Sequence, residues 1–577
     1  MFNRYFQDEL DNLRDLGEAF SKAHPAVAPM LSGPASDPDV ERLLEGVAFL
    51  TGLLRQKLDD EFPEIIHELI HLIWPHYLRP IPCATIVAFS PKPTLKQSMT
   101  IPAGVQIASV PVEGTSCIFR TCYDVELHPI NLIEASFSEP SGRPPAIKLV
   151  LELRGSKLSD WQPRALRFFL TGNYADAADL YFLLRHHLKQ IVIAPADDGS
   201  SLVVAPEHLK PVGFSDDESL IPYPTQSFPG YRILQEYLIL PGKFLFLDLT
   251  GWDRWKDRGD GSRFEISFEL NDIPFSPTRV RKENFVLSAT PAINIFQHDA
   301  DPIRLDHRGT EYPVRPSGSD ASHYQVYSVE KVIGFVQGTA EQRPYVPFEV
   351  FNPQPQDNPV YHVNVRKSPI QAGLDVYLSV AYSPEAGPPV SETLSIELLC
   401  TNGSLPESLQ LGDISLPTSS SPEFAEFSNI RPATTNVLPP LGKNLLWRLL
   451  SHLSLNYVSL AKAENLRALL GLYIFPESRD RTGIVANKKR IAGIEHLETK
   501  PSNRLVSGVM MRGQEISLKL RQDHFASPGD LFLFATVLDY FLGSYASINS
   551  YTQLFVEEAM KGDRYQWPVR VGDHPLI

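Results

Sequence analysis

Apolar side chains recur every three or four residues from the start of this chain. Phe6, Leu10, Leu13, Gly17 and Phe20 follow spacings of four, three, four and three, a seam that suits a helix bundle rather than a solitary surface helix. Gly17 leaves room there for a second helix. The stretch DPDVERLLEGVAFLTGLLRQKLDDEF repeats the alternation at Val40, Leu43, Val47, Leu50 and Leu54, flanked by Leu44, Phe49 and Leu53. Asp37 suits an N-cap, Pro38 a first turn, and Asp39 the positive end of the helix dipole. A third helix is predicted in PEIIHELIHLIWPHYLRPIP, with apolar Ile65, Ile66, Leu69, Ile70, Leu72 and Ile73, Pro63 at its start and Pro75 at its end. Two packings stay open: the three helices cover one another, or partner helices share their seams. The expected interface is Phe6, Leu10, Leu13, Phe20, Leu43, Val47, Leu50 and Leu54.

The pattern changes near Cys83. ATIVAFS, AIKLVLELRG, KQIVIAP, KFLFLDLTG, RFEISFELND, LDVYLSVAYS and LSIELLCTNG alternate or run apolar between Pro, Gly and Asn, as strands do. One helix, Tyr174 to Gln190, is expected among them. A softer boundary falls near residues 300 to 325, and the polar run from Thr418 has the composition of a linker. Beyond it, KNLLWRLLSHLSLNYVSL and AKAENLRALLGLY read as helices and QEISLKLRQ as a strand. Ser527 and Pro528 open a last helix, and SYTQLFVEE is a closing strand. The expected class is therefore α+β and multidomain. It comprises a helical segment over 1–82, a β-rich domain with one inserted helix over 83–300, a second β-rich domain over 301–430, and an α/β domain over 431–577.

At 577 residues, the length suits about three or four domains. Hydrophobic residues make up 43% and charged residues 21%, a balance of globular rather than disordered chains. The net charge of −15, with no long basic run, argues against nucleic acid or an anionic membrane surface as main partner. Cys83, Cys117, Cys122 and Cys400 are the only cysteines and form no CxxC, which fits a reducing compartment. The charged N-terminus lacks the apolar core of a signal peptide, and no apolar run reaches the ~20 residues that span a bilayer. A cytoplasmic protein is expected.

HELIH is the sharpest chemical motif. On a helix, His67 and His71 fall one turn apart and suit a shared zinc ion, with Glu68 as general base. A zinc hydrolase also needs a third ligand. The tight extension would put glycine and histidine where Trp74 and Tyr77 stand, and proline-punctuated strands follow instead of a helix with a glutamate. Glu64, His67, Glu68 and His71 are better read as a polar stripe opposite the apolar one. Gly442-Lys443 and Gly242-Lys243 lack the first glycine and the Ser/Thr of a phosphate loop, and no G-x-S-x-G elbow is present. The acidic clusters Asp59-Asp60-Glu61 and Asp216-Asp217-Glu218 read as solvated turns or helix starts, and adjacent His186 and His187 as solvated histidines. No catalytic set, metal site or cofactor is expected.

Six stretches taken together resemble one family. DPDVERLLEGVAFLTGLLRQKLDDEFPE with LIWPHYLRPIP is similar to the most characteristic block of the TssF family of the type VI secretion system. IPAGVQIASVPVEGTSCIFRTCYDVELHPI, LIPYPTQSFPGYRILQEYLILPGKFLFLDL, TPAINIFQHDADPIRLDHRGTEYPV, LLWRLLSHLSLNYVSL and LGSYASINSYTQL follow in family order. The histidine pair of HELIH departs from that pattern. The resemblance implies a non-enzymatic baseplate wedge subunit, akin to phage tail wedge proteins. It would assemble with TssG, two copies to one, and with TssE and TssK around the VgrG hub. Such a baseplate starts the tube and contractile sheath and docks on a membrane complex.

Overall fold

Both seams at the start of the chain fold as helices, α1 (Arg4–Ala23) and α2 (38–54). The structure is a computed structural model. It describes residues 4–24, 38–54, 75–223, 227–271, 273–275, 280–318, 321–339, 341–348, 359–368, 373–382, 391–441, 462–476, 478–506 and 508–572. The HELIH helix, the Asp59-Asp60-Glu61 cluster and the segment KNLLWRLLSHLSLNYVSL lie outside the described residues. Two compact units emerge: Met1–Leu78 with Leu441–Leu450, and Arg79–Pro440 with Ser451–Ile577.

The larger unit is built on antiparallel sheets. In Thr115–Thr121 and Arg263–Leu270 every second residue is buried, as expected of strands that lay one face on a core. A six-stranded sheet runs in the order Ile414–Pro417, Gln106–Val112, Thr115–Thr121, Ala289–Ile293, Ala84–Pro91, Ala425–Asn429. It gathers strands more than 300 positions apart around Val87, Phe89, Ile107 and Phe119. The segment read as a linker from Thr418 thus contains Ala425–Asn429, whose Phe427 faces Phe89 across the ladder. A five-stranded sheet is centred on Arg263–Leu270, and an eight-stranded one on Glu392–Thr401 and Gln325–Val336. Near the end of the chain, the hairpin Ile494–Val506/Val509–Leu520 pairs in parallel with Ser550–Glu558 from Arg512 onward. Its last rungs project beyond that third strand and carry exposed Leu505, Val509 and Met510.

Among the described residues, five further helices belong to this unit: α3 (Tyr174–His186), α4 (Pro229–Ile239), α5 (Ala463–Leu472), α6 (Arg481–Ala492) and α7 (Pro528–Gly543). The expected helix Tyr174 to Gln190 stops at His186, because Leu188 and Gln190 pair with Leu270 and Glu269 in the five-stranded sheet. α7 is apolar on all sides and accordingly buried, packed against α3 and α4. Its first turn presses on α3 so closely that a Cβ at Gly529 would lie 2.2 Å from the Ala178 backbone. The Gly529 N–H donates instead to Asp179 at 2.8 Å.

Two buried ionic knots fasten these helices. Asp530, fully buried, accepts Arg490 Nε at 3.0 Å, the Tyr174 hydroxyl at 2.9 Å and the Ala526 N–H at 3.0 Å. Arg490 also donates to Asn487, whose amide reaches the Leu238 carbonyl. One carboxylate thereby ties α3, α4, α6 and α7. In the second knot, buried Glu236 accepts the backbone N–H groups of Leu220 and Ile221 at 2.7 and 3.1 Å, together with Arg232 and Lys243. Burial lowers the pKa of Lys243 against the raising effect of Glu236. Charges this deep persist only when paired and hydrogen-bonded.

Candidate interaction surface

α1 and α2 each have an inward and an outward face. The inward face of α1 carries half-buried Phe6, Leu10, Leu13 and Gly17 and buried Ser21, whose hydroxyl donates to the Gly17 carbonyl. On α2 it is Val40, Leu44 and Thr51, half-buried, with Ala48 and Gly52 buried. Small residues, Ser21, Ala48 and Gly52, hold the most enclosed positions. Arg14 on α1 reaches Glu41 on α2 at 2.5 Å, and Arg42 pairs weakly with Asp39 at 3.5 Å.

The outward face of α2 is the other apolar stripe. Leu43, Val47, Leu50 and Leu54 keep 67, 43, 61 and 62% of their surface in water. Phe49 and Leu53 beside them are exposed too, as are Leu16 and Phe20 on α1, the latter packed on the His24 ring. Of the eight residues expected at an interface, Phe20 and the four on α2 are exposed, while Phe6, Leu10 and Leu13 are half-buried. Leu16 was missed by the seam pattern, although it stands four residues before Phe20 and so shares its side of the helix. Between Leu43 and Leu54 the only charged residue is Glu45. Soluble monomers rarely leave so continuous an apolar ridge in water, and such ridges mark contact sites.

Reactive chemistry is absent elsewhere among the described residues. The Ser98 hydroxyl lies 2.7 Å from His128 Nδ1, with Glu126 beyond, which suggests a hydrolytic triad. The third link is missing. Glu126 stands 3.9 Å from His128 Nε2 and accepts instead from the backbone N–H groups of Arg164 and Ala165. Nε2 faces the Ala165 carbonyl at 3.3 Å, and Nδ1 shares its lone pair with the Trp161 indole N–H. Burial lowers the His128 pKa, so the ring is a neutral structural joint. All four cysteines are buried and free; burial pushes Cys117 up to about 11 and Cys122 and Cys400 to about 12, far from the thiolate form that reacts.

The remaining polar clusters are structural as well. Glu218 turns back to accept the N–H groups of Gly213, Phe214 and Ser215, and Asp216 meets Arg232. Of the two histidines expected to be solvated, His186 is exposed and His187 half-buried; both rings pack against Phe182, and His186 also meets Phe532 and Tyr565. Burial lowers the pKa of His186 to about 4. No group of three or more metal-ligating side chains occurs among the described residues. None of the described helices is long and apolar enough to cross a membrane.

Comparison with known proteins extends these observations over the whole chain. The family model described as type VI secretion system, TssF matches residues 1–574. The type VI secretion system component TssF1 of Pseudomonas aeruginosa is 30% identical, aligned over 99% of this chain and 99% of its own. A chain in a cryo-electron microscopy structure of the type VI TssK-TssF-TssG baseplate subcomplex is 29% identical. It superposes with a TM-score of 0.78 over 93% of this chain and 99% of that one. A chain in a structure of the type VI baseplate complex matches over 99% and 100%, with 26% identity and a TM-score of 0.62. Two helices that turn apolar ridges to water are what an assembly part presents; with the family match end to end, this chain belongs to the TssF family of type VI secretion system baseplate components.

Proposed function

We propose that this chain is a structural wedge subunit of the baseplate and that it works by adhesion, not catalysis. The reading is that it assembles with TssG, two copies to one, and with TssK and TssE around the VgrG hub. From there the wedges start the tube and sheath. The protein acts in the cytoplasm and reaches the inner membrane when the baseplate docks on its membrane complex. Support for TssG and TssK as partners comes from the similar chain found in a TssK-TssF-TssG subcomplex.

The observation that carries the proposal is the exposed stripe Leu43, Val47, Leu50, Leu54 on α2, with Phe20 on α1. Phe6, Leu10 and Leu13 on α1, the other residues expected at the interface, are half-buried. Covering such residues removes apolar area from water at ~25 cal/mol per Å², offset by the cost of association, so area alone does not set affinity. The test is co-expression with TssG. Val47→Asp or Leu50→Asp is expected to leave a soluble, folded chain that no longer co-purifies with TssG. Undiminished co-purification would refute the stripe as the contact.

A further inference from the structure

The hairpin Ile494–Val506/Val509–Leu520 reaches past the sheet that carries it. Its third strand, Ser550–Glu558, begins opposite Arg512, so the rungs Arg504–Met511, Leu505–Met510 and Val506–Val509 stand clear, about 10 Å of strand at ~3.3 Å per residue. The base of the projection is fixed. The Ser502 and Tyr551 hydroxyls meet, Arg504 donates to the buried Gln553 side chain, and Gln553 donates in turn to the Trp567 carbonyl at 3.1 Å. The Tyr551 ring lies where a Cβ on Gly513 would stand.

Side chains opposite one another in a ladder share a face, and successive ones alternate. Leu505 and Met510 therefore occupy one face of the tip, and Val506, Val509 and Met511 the other. Leu505, Val509 and Met510 are exposed, Val506 and Met511 half-buried. A flat surface would cover only one of these faces; covering both takes a cavity that encloses the tip. Each face also carries one exposed arginine, Arg512 behind Met510 and Arg504 opposite Met511. No Asp or Glu occurs between Glu498 and Glu515, so this end is cationic in a chain whose net charge is −15. Guanidinium groups take carboxylates in bidentate pairs, and two of them at the mouth of a filled cavity fit an acidic rim. A bilayer fits less well. From Thr499 to Gln514 there is no Trp, Tyr or Phe, the residues that settle at a lipid–water boundary, and the net charge repels an anionic surface.

We infer that this tip is a plug for an apolar socket with carboxylates at its rim, on TssG or TssK. Methionine adapts its shape to such a socket, and the fixed base lowers the cost of ordering the hairpin on binding. The inference rests on the proposed function only for the choice of partners. It is a second contact, since the α2 stripe belongs to the other compact unit.

A photocrosslinker at the rim reads this contact. Asn503, exposed and opposite Arg512, is replaced as Asn503→Cys and labelled with benzophenone maleimide; the four native thiols are buried and leave the new one to react. In the full chain assembled with TssG and TssK, irradiation is expected to attach the label to one of them, beside Asp or Glu residues. Adding Arg512→Glu should cut the yield about tenfold, and higher salt should lower it in the unmodified background. Adding Met510→Asp should abolish it, with the thermal midpoint of the free chain unchanged. If TssG and TssK co-purify with the labelled chain and neither is crosslinked, the partnership stands and the plug is wrong. If they do not co-purify with the wild type, the partnership fails and the inference with it. Crosslinking to a second copy of this chain, or to added phosphatidylglycerol vesicles in place of either protein, would overturn the proposal, as would an undiminished yield with Arg512→Glu.

Discussion

Asp530 holds its carboxylate where water does not reach, and four elements depend on it. Removing one partner of a buried pair leaves the other charged and unsolvated, at a cost of about 3–5 kcal/mol. Asp530→Ala is therefore expected to lower the free energy of unfolding, read from the urea midpoint and slope, by an amount in that range. Asp530→Asn, which keeps the shape and one acceptor, should cost less. Equal midpoints for wild type and Asp530→Ala would mean that Arg490 is not held as described. A second acid answers to pH. Burial pushes Asp539 up to about 6, despite the Arg570 guanidinium beside it. The unfolded side chain titrates near about 3.9, so the folded state holds this proton more tightly. Its contribution to stability is thus complete below about pH 4 and is lost as pH rises through about 6. The stability difference between wild type and Asp539→Asn should change across that window and stay flat above it, as urea unfolding at a series of pH values will read.

Single elements show how far a pattern of residues reaches. Ser527 caps α7 by accepting the Asp530 N–H at 3.2 Å, with Pro528 in the first turn, and both signals are visible in the sequence. Ser527→Ala should cost about 1 kcal/mol, measured by the same unfolding experiment. SYTQLFVEE is a strand over its full length, Ser550–Glu558, because alternation and β-branched residues act locally. α4 escaped notice for a physical reason. Its Arg232 and Glu236 are charged yet buried against each other, so the helix lacks a polar face to reveal its period. The pairing of Ala84–Pro91 with Ala425–Asn429 was equally illegible, since no local feature selects a partner so distant in the chain. On α2 the sequence exposes two apolar stripes and does not say which one turns inward. The buried face is the one that carries small Ala48 and Gly52, and Leu43, Val47, Leu50 and Leu54 are left outside.

At the scale of the whole molecule, charge and grease oppose each other. Fifteen net negative charges keep copies apart, whereas the uncovered ridge on α2 favours contact. The repulsion acts over the Debye length, roughly 10 Å at about 0.1 M salt and roughly 3 Å at about 1 M. The apolar attraction does not weaken in that range, and sulfate strengthens it. The free chain should accordingly associate more as sodium sulfate is raised, seen as an increase in mass by light scattering. Leu50→Asp places a charge on the ridge and should hold the mass near one chain across the series. Prior binding of TssG, if it covers the ridge, should do the same without any mutation. The hairpin tip with Leu505, Val509 and Met510 is the competing source of stickiness, and the two are separable. If Met510→Asp suppresses the association and Leu50→Asp does not, the hairpin is the adhesive surface of the free protein and the ridge is not. If Leu50→Asp alone suppresses it, the surface that makes the isolated subunit prone to self-contact is the one its assembly partner is expected to cover.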